Sequence, residues 1–95
     1  MIAIIFRRAA SADLRQIAAE TRRAWGEDQA KRYVGRLRDQ IKELREFPLR
    51  YPEFGPRPGL RRMNSGRNAV FYVVQEDRVE IIRVVRVASD LERWA

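Results

Sequence analysis

Ala69-Val70-Phe71-Tyr72-Val73-Val74-Gln75, then Glu76-Asp77, then, past Arg78, Val79-Glu80-Ile81-Ile82-Arg83-Val84-Val85-Arg86-Val87 is the stretch that decides the fold. Two dense runs of β-branched and aromatic residues flank a tight charged connection, a pattern that predicts an antiparallel hairpin. The second run is apolar on both faces and is therefore expected at the centre of a sheet. Just upstream, Leu60 to Asn64 is a short further strand, and Ser65-Gly66 is the turn that follows it. Residues 48–59 hold all four prolines and two of the five glycines, interleaved with Tyr51 and Phe54, and are expected to form a loop.

Toward the N-terminus the apolar period changes from two to between three and four. Leu14, Ile17, Ala18, Thr21, Ala24 and Trp25 predict a helix of about four turns, with Ser11 as its cap, Asp13 in its first turn and Gly26 at its C-terminal end. Glu27 and Asp28 then open a second and longer helix, whose stripe of Ala30, Tyr33, Val34, Leu37, Ile41 and Leu44 runs toward Phe47-Pro48. Its other face, with Arg32, Arg36, Asp39 and Glu43 among others, mixes charge signs as a solvated surface does. Ile2 to Phe6 is short, β-branched and aromatic, which suits a strand buried on both faces. The order is β-α-α-β-β-β. Two helices separated by one glycine cannot bury both stripes against each other, so they need the sheet. The expectation is an α+β domain of two layers, a helical hairpin packed on a mainly antiparallel sheet. At 95 residues the chain, 1–95, is expected to form a single domain.

Composition narrows the chemistry. With 45% hydrophobic residues at regular spacings the chain should fold rather than remain disordered. Cysteine and histidine are both absent, which excludes disulfides, haem ligation, thiol nucleophiles, imidazole acid-base chemistry and the usual zinc sites. No metal and no cofactor is expected. No phosphate-cradling glycine motif occurs either. The run Met1 to Phe6 is too short for a secretory core and is followed, not preceded, by Arg7 and Arg8. No stretch approaches the ~18 apolar residues of a membrane span. A cytoplasmic protein without membrane contact is the resulting expectation.

The net charge is +7, which suits a nucleic-acid or acidic protein partner. All cations but Lys31 and Lys42 are arginine, from bidentate recognition of anions or from codon usage alone. Ser65-Gly66-Arg67-Asn68 is either a plain turn or a turn whose amides meet an anion. Two arginines interrupt the last strand: Arg83 alternates onto the face of Ile81 and Val85, and Arg86 onto that of Ile82 and Val84. Each needs a partner, either a carboxylate of the fold, such as Asp90 or one on a helix, or an external acidic group. The tail Ser89 to Ala95 carries Trp94, which either docks on the domain or recognises a partner.

Taken jointly, Ala10-x-x-Asp13-Leu14-x-x-Ile17, Trp25-Gly26, Ala30-x-x-Tyr33, the stripe Leu37, Ile41, Leu44 and Pro48, Gly59-x-Arg61-Arg62, Ser65-Gly66, Val70-Phe71-Tyr72, Asp77-x-Val79-x-Ile81-x-Arg83-Val84-Val85 and Asp90 resemble the ParE branch of the RelE/ParE superfamily of bacterial toxins. The resemblance runs nearly end to end. It implies a toxin of a type II toxin-antitoxin system that is not an enzyme. Such a toxin binds DNA gyrase, blocks replication, is neutralised by a ParD-like antitoxin, and meets DNA only through that antitoxin. The residues expected to engage the target are Arg83, Arg86, Asp90, Leu91 and Trp94, and those expected to meet the antitoxin are Arg61, Arg62, Met63, Tyr72 and Arg83. ParE-like proteins commonly carry histidine where this chain has Asn68 and Arg86. RelE relatives instead cut messenger RNA on the ribosome. Arg61 or Arg62 matches their arginine before the turn, but Ser89, Asp90 and Trp94 stand where their C-terminal arginine and tyrosine are expected, so that alternative ranks second. A basic nucleic-acid-binding module without toxicity is the third.

Overall fold

The structure, a computed structural model, describes residues 2–55 and 57–87. Strand β1 (Ala3–Phe6) leads into helix α1 (Arg8–Trp25), then α2 (Glu27–Lys42) with a 3-10 turn at Glu43–Arg45, then β2 (Arg61–Ser65), β3 (Asn68–Val74) and β4 (Arg78–Arg86). The sheet order is β1-β4-β3-β2. β4 is central, parallel to β1 and antiparallel to β3, which in turn is antiparallel to β2. The helical pair lies on one face. Ala10 and Leu14 of α1, Leu37 and Ile41 of α2 and Leu44 of the turn meet Met63, Val70, Tyr72, Val79, Ile81 and Val84 of the sheet. This is the expected α+β arrangement of two layers.

The helical break needs a residue with positive φ. Gly26 supplies it at φ 93°, donating its amide to the Arg22 carbonyl at 2.9 Å while its own carbonyl accepts the Ala30 amide at 3.1 Å. The β2–β3 turn uses the same freedom: Gly66, at φ 58°, is the first residue of a two-residue connection. That conformation brings Gly66 against Tyr33 of α2, so that a Cβ there would lie 3.3 Å from the ring. Hairpin and helix are thereby joined at close quarters.

Four details differ from the sequence expectation. Helix α1 begins at Arg8, not at Ser11, because Arg7 still pairs with β4 through its amide (3.0 Å to the Ile81 carbonyl) and is held extended as the helix boundary. Ser11 is thus inside the helix. The second helix is the shorter, 16 residues against 18, since its last apolar residue Leu44 is delivered by the 3-10 turn. β1 is not buried on both faces. It lies at the sheet edge with Ala3 and Ile5 exposed, the latter at 46%. Finally, Tyr72 faces Ile81 while Phe71 faces Arg83, which leaves Ile82 as an extra residue, a β-bulge. The bulge shifts the alternation by one, so Ile81 and Val84 both point to the core and Arg83 turns to the opposite face.

Candidate partner-binding site

The expected residues divide between two sides of the sheet. On the face away from the helices, Arg62, Phe71 and Arg83 lie side by side across β2, β3 and β4. The Arg62 guanidinium sits 5.0 Å from the Phe54 ring and 5.8 Å from Phe71, and the two rings are 5.5 Å apart. These are cation-π distances, which keep the charge at the surface on an apolar seat. Arg83 is held differently. Its Nε and Nη2 donate to the two oxygens of Asp13 at 2.8 and 3.0 Å, and the same carboxylate accepts the Val84 amide at 2.9 Å. Asp13 thus continues the hydrogen bonding of the β4 edge where β1 ends, and its hydrogen bonds, with its charge, hold the Arg83 guanidinium still more firmly protonated. Among the described residues the partner of Arg83 is a helix carboxylate, one of the alternatives the sequence left open.

Arg61 donates to the Tyr51 carbonyl at 2.6 Å and fixes the proline-rich loop. Met63 and Tyr72 do not belong to a binding surface in this structure, being 1% and 0% exposed. Their side chains pack into the core, and the Tyr72 hydroxyl donates to the Pro48 carbonyl at 2.9 Å. Burial pushes the Tyr72 phenol above its ordinary value. Their correction follows from alternation: the residues facing Arg62 and Phe71 outward direct Met63 and Tyr72 inward. Asp90, Leu91 and Trp94 lie outside the described residues.

Arg86 lies on the helix side, at the end of β4, where it lines a cavity of about 300 Å³. Ile17 and Trp25 of α1, Tyr33 of α2, Arg67 of the β2–β3 turn and Asn68 of β3 also line it. Its floor is a closed set of hydrogen bonds. The buried Asn68 accepts the Tyr33 hydroxyl proton at Oδ1 and donates from Nδ2 to the Val85 carbonyl at 3.3 Å. The Tyr33 oxygen accepts the Arg67 amide at 3.3 Å. Asn68 and Arg86 are partners in the β3–β4 ladder, and the Val87 amide donates to the Arg67 carbonyl at 2.8 Å, so the two arginines spring from neighbouring, fixed backbone. Among the described residues neither side chain pairs with a carboxylate. Two such guanidinium groups are suited to bidentate anion binding.

Arg86 and the turn at Arg67 stand out in the sequence, whereas Tyr33 reads there as part of the core stripe and Trp25 as the end of a helix. Trp25 is 68% exposed at the cavity. The signal was present: a tyrosine in an apolar stripe carries a polar tip that needs a partner, and a tryptophan beside a helix-ending glycine has no core left to enter. No helix among the described residues is long and apolar enough to cross a membrane.

The sequence comparisons agree on one family. The family model described as ParE toxin of type II toxin-antitoxin system, parDE, matches residues 4–94. Toxin ParE1 of Caulobacter vibrioides is 42% identical over 79 residues, covering 82% of this chain and 81% of that protein. Toxin ParE1 of Mycobacterium tuberculosis is 32% identical over 91 residues, covering 90% and 89%. Among solved structures, a chain of the chromosomal ParDE system from P. aeruginosa has a similar fold, with a TM-score of 0.80 at 23% identity over 92% of this chain and 97% of that one. A chain of the RelBE2 toxin-antitoxin complex from Mycobacterium tuberculosis is more distant in shape, with a TM-score of 0.58 at 20% identity over 90% and 96%. The chain belongs to the ParE toxin family of type II toxin-antitoxin systems, within the RelE/ParE superfamily.

Proposed function

We propose that this toxin acts in the cytoplasm by binding DNA gyrase and blocking replication, without turnover of a substrate, and that a ParD-like antitoxin neutralises it. The observation that carries this reading is the family match over residues 4–94. The division of arginines between the two sides of the sheet supports two separate engagements. The side of Arg86, from which the chain continues to Asp90, Leu91 and Trp94, faces the target. The side of Arg62 and Arg83, where charges border the Phe54-Phe71 pair, receives the antitoxin, whose contact with DNA is the toxin's only link to it. An acidic amphipathic segment suits that face, because its carboxylates meet the arginines and its apolar side chains meet the two rings.

The test is induced expression with and without the adjacent gene. DNA synthesis should stop first, with a DNA-damage response, and co-expression of the neighbouring product should restore growth. Purified chain should also inhibit supercoiling by gyrase in vitro. Early collapse of protein synthesis with messenger RNA cut at ribosomal A sites would replace this reading with the RelE-like nuclease. Steeply salt-dependent binding to DNA alone, without growth arrest, would replace it with the nucleic-acid module.

A further inference from the structure

We propose that the cavity between Arg67 and Arg86 is a socket for one acidic side chain followed by a bulky apolar one, presented by the protein that the toxin attacks. This rests on the reading of Arg86 as part of the target-facing side. Three features of the cavity lead to it. Charge comes first. Arg67 and Arg86 bring two positive charges and Glu20, also in the lining, brings one negative charge, so a single carboxylate neutralises the site. Glu20 accepts a hydrogen bond from Gln16 at 3.0 Å within α1, and among the described residues it forms no ion pair with either arginine.

The second feature is the wall. Ile17, Ala24 and Trp25 line the α1 side, an apolar surface beside the charged one. A volume of about 300 Å³ is at the small end of ligand sites, enough for two side chains but not for a helix or a folded loop. The third is rigidity. The Tyr33-Asn68-Val85 hydrogen bonds and the Val87 to Arg67 bond fix the backbone that carries both arginines, so binding has only the side chains left to order. A nucleic acid is less well served, since Glu20 stands in the wall and repels a second phosphate beside the first.

The experiment uses the full chain, labelled with 15N, and titrates N-acetyl-Glu-Leu-amide, N-acetyl-Gln-Leu-amide and uridine 5′-monophosphate. The glutamate probe should shift the Trp25 indole and the Arg67 and Asn68 amides, and the glutamine analogue should bind about ten-fold more weakly. Arg67→Gln and Arg86→Gln should each weaken the glutamate probe by a similar factor with unchanged melting temperature, while Arg38→Gln on the solvated face of α2 leaves it unaltered. Equal binding of the two peptides overturns the socket, and tighter binding of the nucleotide makes it a phosphate site. If Asp90→Asn greatly strengthens the glutamate probe, the occupant is the chain's own acidic C-terminal segment and the proposal fails. Capture of gyrase by wild type and Arg86→Gln separates the two readings. Capture lost in Arg86→Gln supports the socket, and capture undiminished overturns its assignment to the target. If wild type captures no gyrase, the proposed function falls, while the peptide titration still decides the chemistry of the cavity.

Discussion

Tyr33 shows how one residue serves two ends. Its ring belongs to the stripe of α2, but its hydroxyl crosses to the hairpin and binds Asn68, a side chain buried to 3% exposure. Tyr33→Phe keeps the shape and removes the proton that Asn68 Oδ1 accepts. An unsatisfied buried acceptor costs about 1–3 kcal/mol, so the variant should melt correspondingly lower, and a further Asn68→Ala change should cost less in that background than in wild type. Gly66→Ala should be at least as harmful, by about 1–3 kcal/mol, since it combines φ 58° with a Cβ 3.3 Å from that ring. Chemical denaturation of each variant measures both values. Pairings of this kind were the least legible part of the sequence. Asp13 has the composition of a helix-start residue, and nothing local connects it to Arg83, which lies 70 residues away in the chain. The demand that Arg83 find a carboxylate was readable; which carboxylate was a matter of tertiary geometry.

At the level of the elements, β4 depends on a side chain to complete its edge. Asp13→Ala removes the acceptor of the Val84 amide and the partner of Arg83 together, and should cost about 1–3 kcal/mol. Hydrogen exchange at the Val84 amide should accelerate in that variant, whereas amides in β3 change only as far as global stability does. Leu37→Ala or Ile41→Ala acts through the core instead, costing about 2–5 kcal/mol by cavity formation and lowering every activity together. Long periodic segments made the elements legible, because helix and strand impose different repeats on buried positions. The bulge at Ile82 was not, since an added residue in a uniformly apolar strand leaves no mark on its composition. That single insertion is why Arg83 and Val84 exchange the faces that strict alternation assigns them.

For the whole molecule, the ion pairs that bind the ends of the fold make stability depend on pH. The Glu80 carboxylate takes Arg7 Nε at 2.9 Å and Arg78 Nε at 3.0 Å, and the hydrogen bond from Arg7 above all holds its pKa below the ordinary 4.5. A carboxylate whose folded value is depressed stabilises the fold fully above its unfolded value. That contribution disappears as pH falls through the folded one. Glu80→Gln should therefore melt lower than wild type at neutral pH, and the difference should close below about pH 4. Melts from pH 7 to pH 2 give the comparison. A constant gap across that range would show that Glu80 acts by packing alone.

The parallel pairing of β1 with β4 also sets a schedule for synthesis. Arg7 and Glu80 stand 73 residues apart, and among the described strands β1 pairs with β4 alone, so the apolar β1 waits for that partner while the ribosome adds everything up to residue 81. At ~5–20 residues per second that wait lasts several seconds. The arginines of β4 that face the proposed target and antitoxin are fixed in place only when the sheet closes. The sheet that carries both arginine faces is therefore completed only near the end of the chain's own synthesis.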